Sequence, residues 1–445
     1  MNNRRSFIKK SATATAGILL GGSTLFSQTS SYKKILGANE RIHVGIAGLG
    51  RRFGGFVEPV AKTSNNIQLS YLCDVMDSQH TKAAKEVEKP LGYLPTQIKD
   101  FRKMIEDKNL DAVFIATPDH WHTPGSLMAM QMGKHVYVEK PCSHTMEENE
   151  LLVEMKEKTG LLVQMGNQQR SSGHTIHIIQ QIHKGIIGAP YKAVAFYNNN
   201  RGAVPNQKPA PIPIGLDWDL FQGPAPRRAY TDNTWDYNWH WYGWDYGTAE
   251  AGNNGTHELD VARWALQVDF PNSVRVDAGK YHFMEDGWTM YDTMLAEFKF
   301  DNNKTIQWDG KSRNGFFTYG ADRGVLIYGS EGSVFVNREK YVLFDRSGKK
   351  IEESTEKTNE AGNALGGGGD MTTIHVENFF ETIRGKQKLN APIEDASISM
   401  AMVHYANVAY RIGQSFKIAK DGKMVNPEAM DLWSRNYEPG WHPTI

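Results

Sequence analysis

A lysine, a histidine and a glycine pair stand where this chain could do chemistry. Lys140 follows the apolar run from His135 to Val138, so its amine can point into a crevice at the end of a buried strand. Taking a proton from a hydroxyl while hydride leaves the same carbon requires such an acceptor. Burial and a neighbouring cationic ring both lower an amine's pKa toward the useful range. His257, near the start of a helical segment, is the second candidate, because histidine titrates where this chemistry needs it. Asp260 and Val261 share its face, with Trp264 two turns on. Gly48 and Gly50 follow the apolar run from Ile42 to Ala47, where glycines let a backbone turn tightly and approach a pyrophosphate. The glycine fingerprint is imperfect. Phe53 stands at its third position, Gly54 comes one later, and Pro59 shortens or kinks the helix that follows.

The elements that must hold these residues follow from the pattern. Apolar strands are expected at 42–47, 67–73, 111–116 and 135–138, alternating with helices at 81–87, 101–107 and 124–132. That alternation predicts a doubly wound parallel sheet, whose ligands sit beyond the carboxyl ends of the strands. Three pieces fall at those ends and are the expected cofactor contacts: Gly48 and Gly50 with Arg51 and Arg52; Thr117 and Pro118 with His122; and Glu139 with Lys140. Asp74 ends the second strand, where a carboxylate can hydrogen-bond ribose hydroxyls; this favours NAD over NADP. After Val163 the alternation stops. Strands at 189–197, 274–282, 293–300, 305–308, 324–328 and 333–336 predict a second, α+β domain with an open, mostly antiparallel sheet. The expected division is a leader and linker over 1–39, a Rossmann domain over 40–162 and a substrate and oligomerisation domain over 163–445. Residues 202–246 are rich in Pro, Trp and Tyr, and Gly366 to Gly369 read as a linker before a helix over 372–384.

At these residues the chain resembles the glucose–fructose oxidoreductase, inositol dehydrogenase and MocA family. The resemblance rests on Gly45 to Gly50, Cys73-Asp74-Val75, Thr117-Pro118 with His122, and above all Val138-Glu139-Lys140-Pro141. It continues through Gly166 to Arg170 and Gly255 to Asp260 and covers nearly everything after the leader. It implies NAD(P)-linked oxidation or reduction of sugars and polyols, a lysine in contact with the reacting hydroxyl, and an open sheet that often forms the subunit interface. The family pattern places an acid four residues before the histidine; here Asn253 occupies that position. An amide can orient a group but cannot take a proton, so Lys140 and His257 share more of the work, or Glu250 or Asp245 substitutes. Asn167 and Arg170, at the domain switch, are candidate cofactor or substrate contacts. The dense aromatic run from Trp235 to Tyr246, with Trp241 and Tyr246 in it, offers flat walls for sugar faces.

The totals exclude some classes. Lys plus Arg and Asp plus Glu number 50 each, so the basic surplus of a nucleic-acid binder is missing. Two cysteines, Cys73 and Cys142, read as free thiols without zinc spacing. His257-Glu258 opens like a zinc-protease helix, but Val261 replaces the second histidine, so no metal is expected. Arg4-Arg5, then Phe7, Lys9 and the mild apolar run from Ala12 to Phe26, resemble a twin-arginine export signal, not a membrane span. The expected partners are the twin-arginine export machinery, a carbohydrate and a second copy in a dimer or tetramer, and the expected location is the periplasm. Three readings follow. The first is a CH–OH oxidoreductase with tightly bound NAD, and the second a redox-neutral glycoside hydrolase or lyase passing through a keto-sugar. The third is a non-catalytic sugar- or dinucleotide-binding protein.

Overall fold

β1 (Ile42–Ala47) is buried at five of its six positions, as a strand covered by helices on both faces must be. The computed structural model describes residues 40–355 and 369–445; the leader over 1–39 and the glycines at 366–368 lie outside the described residues. β2 (Ile67–Cys73), β3 (Thr96–Ile98), β4 (Ala112–Ile115), β5 (His135–Val138) and β6 (Val163–Met165) complete a parallel six-stranded sheet in the order β3-β2-β1-β4-β5-β6. The order reverses between β1 and β4, which opens a crevice at their carboxyl ends. β3 and β6 have three residues each, too few for a hydrophobic period to show. The helix expected over 81–87 runs longer, as Asp77–Leu91, and ends on Gly92 in the left-handed region.

The second sheet has nine strands in the order β14-β13-β12-β11-β7-β10-β9-β8-β15. They are β7 (Pro190–Asn198), β8 (Ser273–Gly279), β9 (Thr293–Lys299), β10 (Thr305–Lys311), β11 (Arg323–Gly329), β12 (Gly332–Val336), β13 (Lys340–Asp345), β14 (Lys350–Thr355) and β15 (Phe416–Lys417). Among the described strands of this sheet, only β7 and β10 pair in parallel. Period-two burial is clear in β9, where Met294, Ala296 and Phe298 point inward. β14 is an exposed edge without apolar alternation, so its pattern carries no strand signal. Helices Thr256–Leu266 and Ile393–Ile412 cover the inner face.

The two sheets share one apolar core. It runs from Val138 and Met165 through Leu259 and Ala262 to Phe298 and Trp308, and it fixes the distance between the strand ends of the first sheet and the helix that carries His257. Helix Gly369–Ile383 returns to the first sheet, where Val376, Phe379 and Phe380 join Phe56, Phe114 and Tyr137. Phe53, at the imperfect fingerprint position, lies in this second core with 1% exposure. A phenylalanine there fills volume under the helix Gly54–Ala61. Cys73 and Cys142 are both buried free thiols.

The glycine turn is the tightest point. Gly48 has φ +88°, and a Cβ on it would stand 2.2 Å from the Ala116 carbonyl oxygen. Its N–H donates to Cys73 O at 2.9 Å, so the turn is clamped between β2 and β4. Gly48→Ala therefore loses about 2 kcal/mol or more of unfolding free energy; urea titration of the two proteins measures it.

Candidate functional site

A cavity of about 920 Å³ lies between the carboxyl ends of the parallel strands and the second sheet, large enough for a dinucleotide fragment and a small ligand together. The glycine turn forms one end. No atom lies within 4 Å of where a Cβ on Gly50 would stand, which leaves room there for a phosphate. The Thr117 hydroxyl is buried on the wall with no hydrogen-bond partner among the described residues. Asp74 also lines the cavity, but its carboxylate accepts from the Leu49 N–H at 2.8 Å and the Met76 N–H at 2.9 Å. It thus braces the turn as well as facing the ribose position. Burial pushes its pKa up to about 6, against these backbone donors. An open glycine turn, an orphaned hydroxyl and a carboxylate at the second strand fit a dinucleotide.

At the inner end Lys140 lines the cavity from the end of β5, and the Lys140–Pro141 bond is cis. Its Nζ donates to the Asn253 carbonyl at 2.6 Å, with Asn253 Oδ1 at 3.4 Å. That carbonyl lies in the π-helical turn Ala251–Gly255, just before helix Thr256–Leu266. A π turn breaks the regular i→i−4 ladder, so a backbone oxygen can serve another donor. Gly252 makes the turn possible: a Cβ there would meet the Thr248 hydroxyl at 1.8 Å. Burial lowers the pKa of Lys140, while Glu139 and Asp119 oppose that shift.

His257, in helix Thr256–Leu266, lines the same cavity. Burial, reinforced by Arg338, Lys140, Arg323 and Arg52, pushes its pKa well below the usual histidine value. The ring is therefore neutral at pH 7 and presents a hydrogen-bonding nitrogen without a charge.

Several expected contacts stand at the cavity but act through neighbours. The Glu139 carboxylate accepts from Arg52 Nε at 2.6 Å and Gln168 Nε2 at 3.1 Å, and Arg52 also reaches the Thr372 hydroxyl at 3.3 Å. His122 sets its ring nitrogens 2.6 and 2.8 Å from the Pro141 and Thr117 carbonyls, tying the ends of β4 and β5 together. Pro118 lies on the wall, and Arg51 stacks its guanidinium 3.9 Å from the centre of the Tyr237 ring.

Four expected substrate contacts lie outside the lining of this cavity. Arg170 is spent in buried ion pairs with Asp260 at 2.7 Å and Asp395 at 2.9 Å, above the Trp264 ring. Asn167 is buried, with its amide unpartnered among the described residues. Trp241 stacks face to face on Trp288 at 3.9 Å inside the core. Tyr246 is buried among Trp218, Phe221 and His120, with its hydroxyl accepting from Arg228 at 3.0 Å. Trp235, Tyr237, Trp239 and His240 of the same run supply the aromatic wall instead. Neither substitute acid faces Lys140. Glu250 is buried behind the turn and pairs with Arg201 at 3.2 Å, while Asp245 is exposed and pairs with Arg228. Tyr197, Asn199 and Arg201 from the end of β7, Arg323 of β11, and Asp119 after β4 also line the cavity. They come from three separate segments, and only Asp119 falls inside a piece marked by the sequence, Thr117 to His122. No three His, Cys, Asp or Glu side chains among the described residues form a metal-binding group.

Fold and site together define a dinucleotide-dependent oxidoreductase built around a lysine and a neutral histidine. The model of the Gfo/Idh/MocA oxidoreductase family, NAD-binding Rossmann fold, matches residues 42–167, and that of the family's C-terminal α/β domain matches residues 175–441. The chain belongs to this family, and residues 42–167 form its NAD-binding domain. A glycosyl hydrolase family 109 protein of Saccharopolyspora erythraea is 31% identical over 255 residues, 52% of this chain and 55% of that one. The chain spans about half the length of the curated relatives it matches. Among solved structures, levoglucosan dehydrogenase in complex with NADH superposes with a TM-score of 0.63 at 18% identity, over 85% of this chain and 99% of that one. An oxidoreductase of Agrobacterium radiobacter in complex with NAD+, L-tartaric acid and magnesium gives 0.62 at 15% identity, over 84% and 98%. No described helix is long and apolar enough to cross a membrane.

The state of Asp74 makes the unliganded protein pH-dependent. Its folded pKa of about 6 exceeds the ordinary 3.8, so its contribution to stability is complete below pH 3.8 and is lost as pH rises through 6. The gap corresponds to on the order of 3 kcal/mol. Urea unfolding of wild type and Asp74→Asn between pH 4 and 7 tests this. Wild type is expected to lose stability relative to Asp74→Asn as pH rises.

Proposed function

We propose that the protein oxidises a CH–OH group of a sugar, glycoside or polyol, with its NAD retained between turnovers. The observation that carries this reading is the placement of Lys140, pinned on Asn253, beside a neutral His257 at the inner end of the cavity. Bound NAD supplies the hydride acceptor. Lys140 Nζ takes the hydroxyl proton, and burial keeps its amine available for it. His257, being neutral, orients the same hydroxyl without repelling the ammonium that forms. Trp239 and His240, stacked at 3.6 Å, offer a flat face for a sugar ring.

Retention rests on a separate contact. The stack of Arg51 on Tyr237 joins the glycine turn to the aromatic run across the cavity. Arg201 Nη1 approaches the Tyr237 hydroxyl at 3.5 Å. In this reading the leader exports the folded chain by the twin-arginine route to a compartment without a free NAD pool, so the cofactor is regenerated in place. The first similar relative's name, a glycosyl hydrolase family 109 protein, favours a second reading: transient oxidation of a glycoside, elimination, and return of the hydride.

Incubation with glycosides and no added NAD separates the two. Stoichiometric keto-sugar indicates a net oxidoreductase, and catalytic release of free sugar or enone indicates the redox-neutral cycle. In either assay Lys140→Met is expected to slow turnover by about 10²-fold or more; full activity in that variant refutes the mechanism. Acid denaturation of purified protein is expected to release bound dinucleotide. Tyr237→Ala is expected to lose most of it during gel filtration, whereas equal retention in that variant removes the clamp.

A further inference from the structure

We propose that Asp119 is the carboxyl partner of Lys140, a positioning residue that sets how firmly the amine holds its proton. The inference rests on the reading of Lys140 as the base.

Asp119 and Lys140 emerge from adjacent strands. β4 and β5 pair through Ile115 and Val138, and the Glu139 N–H donates to Ile115 O at 2.9 Å. Both side chains line the inner end of the same cavity. Asp119 is 3% exposed, and its Oδ2 accepts from the Thr248 hydroxyl at 2.6 Å and the Thr248 N–H at 3.1 Å. Thr248 precedes the π turn that holds Lys140. A Cβ on Gly252 would stand 1.8 Å from the Thr248 hydroxyl and 3.5 Å from Pro141 Cγ, so the anchor of Asp119 and the neighbour of Lys140 press on one glycine.

The other groups around the amine do not fill this role. Asn253 meets it through a carbonyl and an amide, neither of which titrates. Glu139 is committed to Arg52 and Gln168. Arg52 and Arg338 are cations that weaken its hold on a proton, and His240 and His257 are buried with lowered proton affinity. Asp119 itself faces His122, Lys140 and Thr248. A buried carboxyl gains proton affinity and a buried amine loses it, and the two groups interact through their charges across the cavity wall rather than through a direct hydrogen bond. The Asp119 charge opposes the effect of burial on Lys140 and keeps the amine within working range.

Competitive acetylation reads this without a substrate. The purified protein is treated with trace acetic anhydride across a pH series, and labelling of Lys140 and Lys99 is quantified by peptide mass spectrometry. Removing the carboxylate removes an attraction for the ammonium. Asp119→Asn is therefore expected to move the half-labelling pH of Lys140 down by about one unit or more, with Lys99 unmoved. Thr248→Val, which removes the hydroxyl donor to the carboxyl and keeps its charge and the backbone N–H donor, is expected to move the half-labelling pH of Lys140 without moving Lys99. It serves as the test if Asp119→Asn does not fold. A Lys140 midpoint unchanged in a folded Asp119→Asn, or failing that in Thr248→Val, overturns the proposal. If the midpoint follows Asp119 while Lys140→Met still turns over, the pairing stands and the assignment of Lys140 as the base is what fails.

Discussion

The hydrogen bond from Lys140 Nζ to the Asn253 carbonyl joins the two halves of the site. Lys140 stands at the end of a parallel strand, and Asn253 in a π turn at the mouth of the helix that covers the second sheet. Without that bond the amine has four rotatable carbons and no fixed direction. With it, the reacting atom of one sheet is referenced to the histidine of the other. The shared core holds the backbones in place, and the turn converts that rigidity into an aimed side chain. Two small residues permit this, Gly252 against Thr248 and Gly255 against Trp308.

Around this bond the site is built from buried charge pairs. Arg52 holds Glu139, Arg201 holds Glu250, Arg323 holds Glu258 with two contacts, and Arg170 holds Asp260 and Asp395. Taking such charges out of water is costly unless each is matched, and losing one partner typically costs 3–5 kcal/mol. These residues therefore define shape and potential more than they bind ligand. Burial, with the positive field of the nearby arginines and Lys140, keeps the His257 ring neutral. The Arg51–Tyr237 stack adds a closure on the opposite side, made of one residue from each half.

Much of the first sheet was legible before any coordinates. Strands buried on both faces leave continuous apolar runs, and glycines after β1 leave a gap in side-chain volume that only a close ligand or a close backbone explains. Asp74 and Lys140 could be placed because they stand one and two residues beyond the end of such a run. The short strands β3 and β6 and the polar edge β14 left no period to read. The aromatic run from Trp235 to Tyr246 announced its density but not its direction. Trp241 turned to Trp288 and Tyr246 to Trp218, while Tyr237 and Trp239 faced the cavity. Irregular backbone has no period that assigns alternate residues to faces.

The sequence by itself determined the class of fold, the strand ends that meet the cavity, and the presence there of Lys140 and His257. Those are set by local pattern: hydrophobic period, glycine placement and the residue that follows a buried strand. Only the tertiary structure decided which charges are free to act. It showed Arg170 consumed by Asp260, Glu139 by Arg52, and Asp119 held on a threonine anchor. Those outcomes depend on partners 90, 87 and 129 residues away along the chain. A charge's role is fixed by what it meets after burial, and burial brings together residues that the chain order keeps apart.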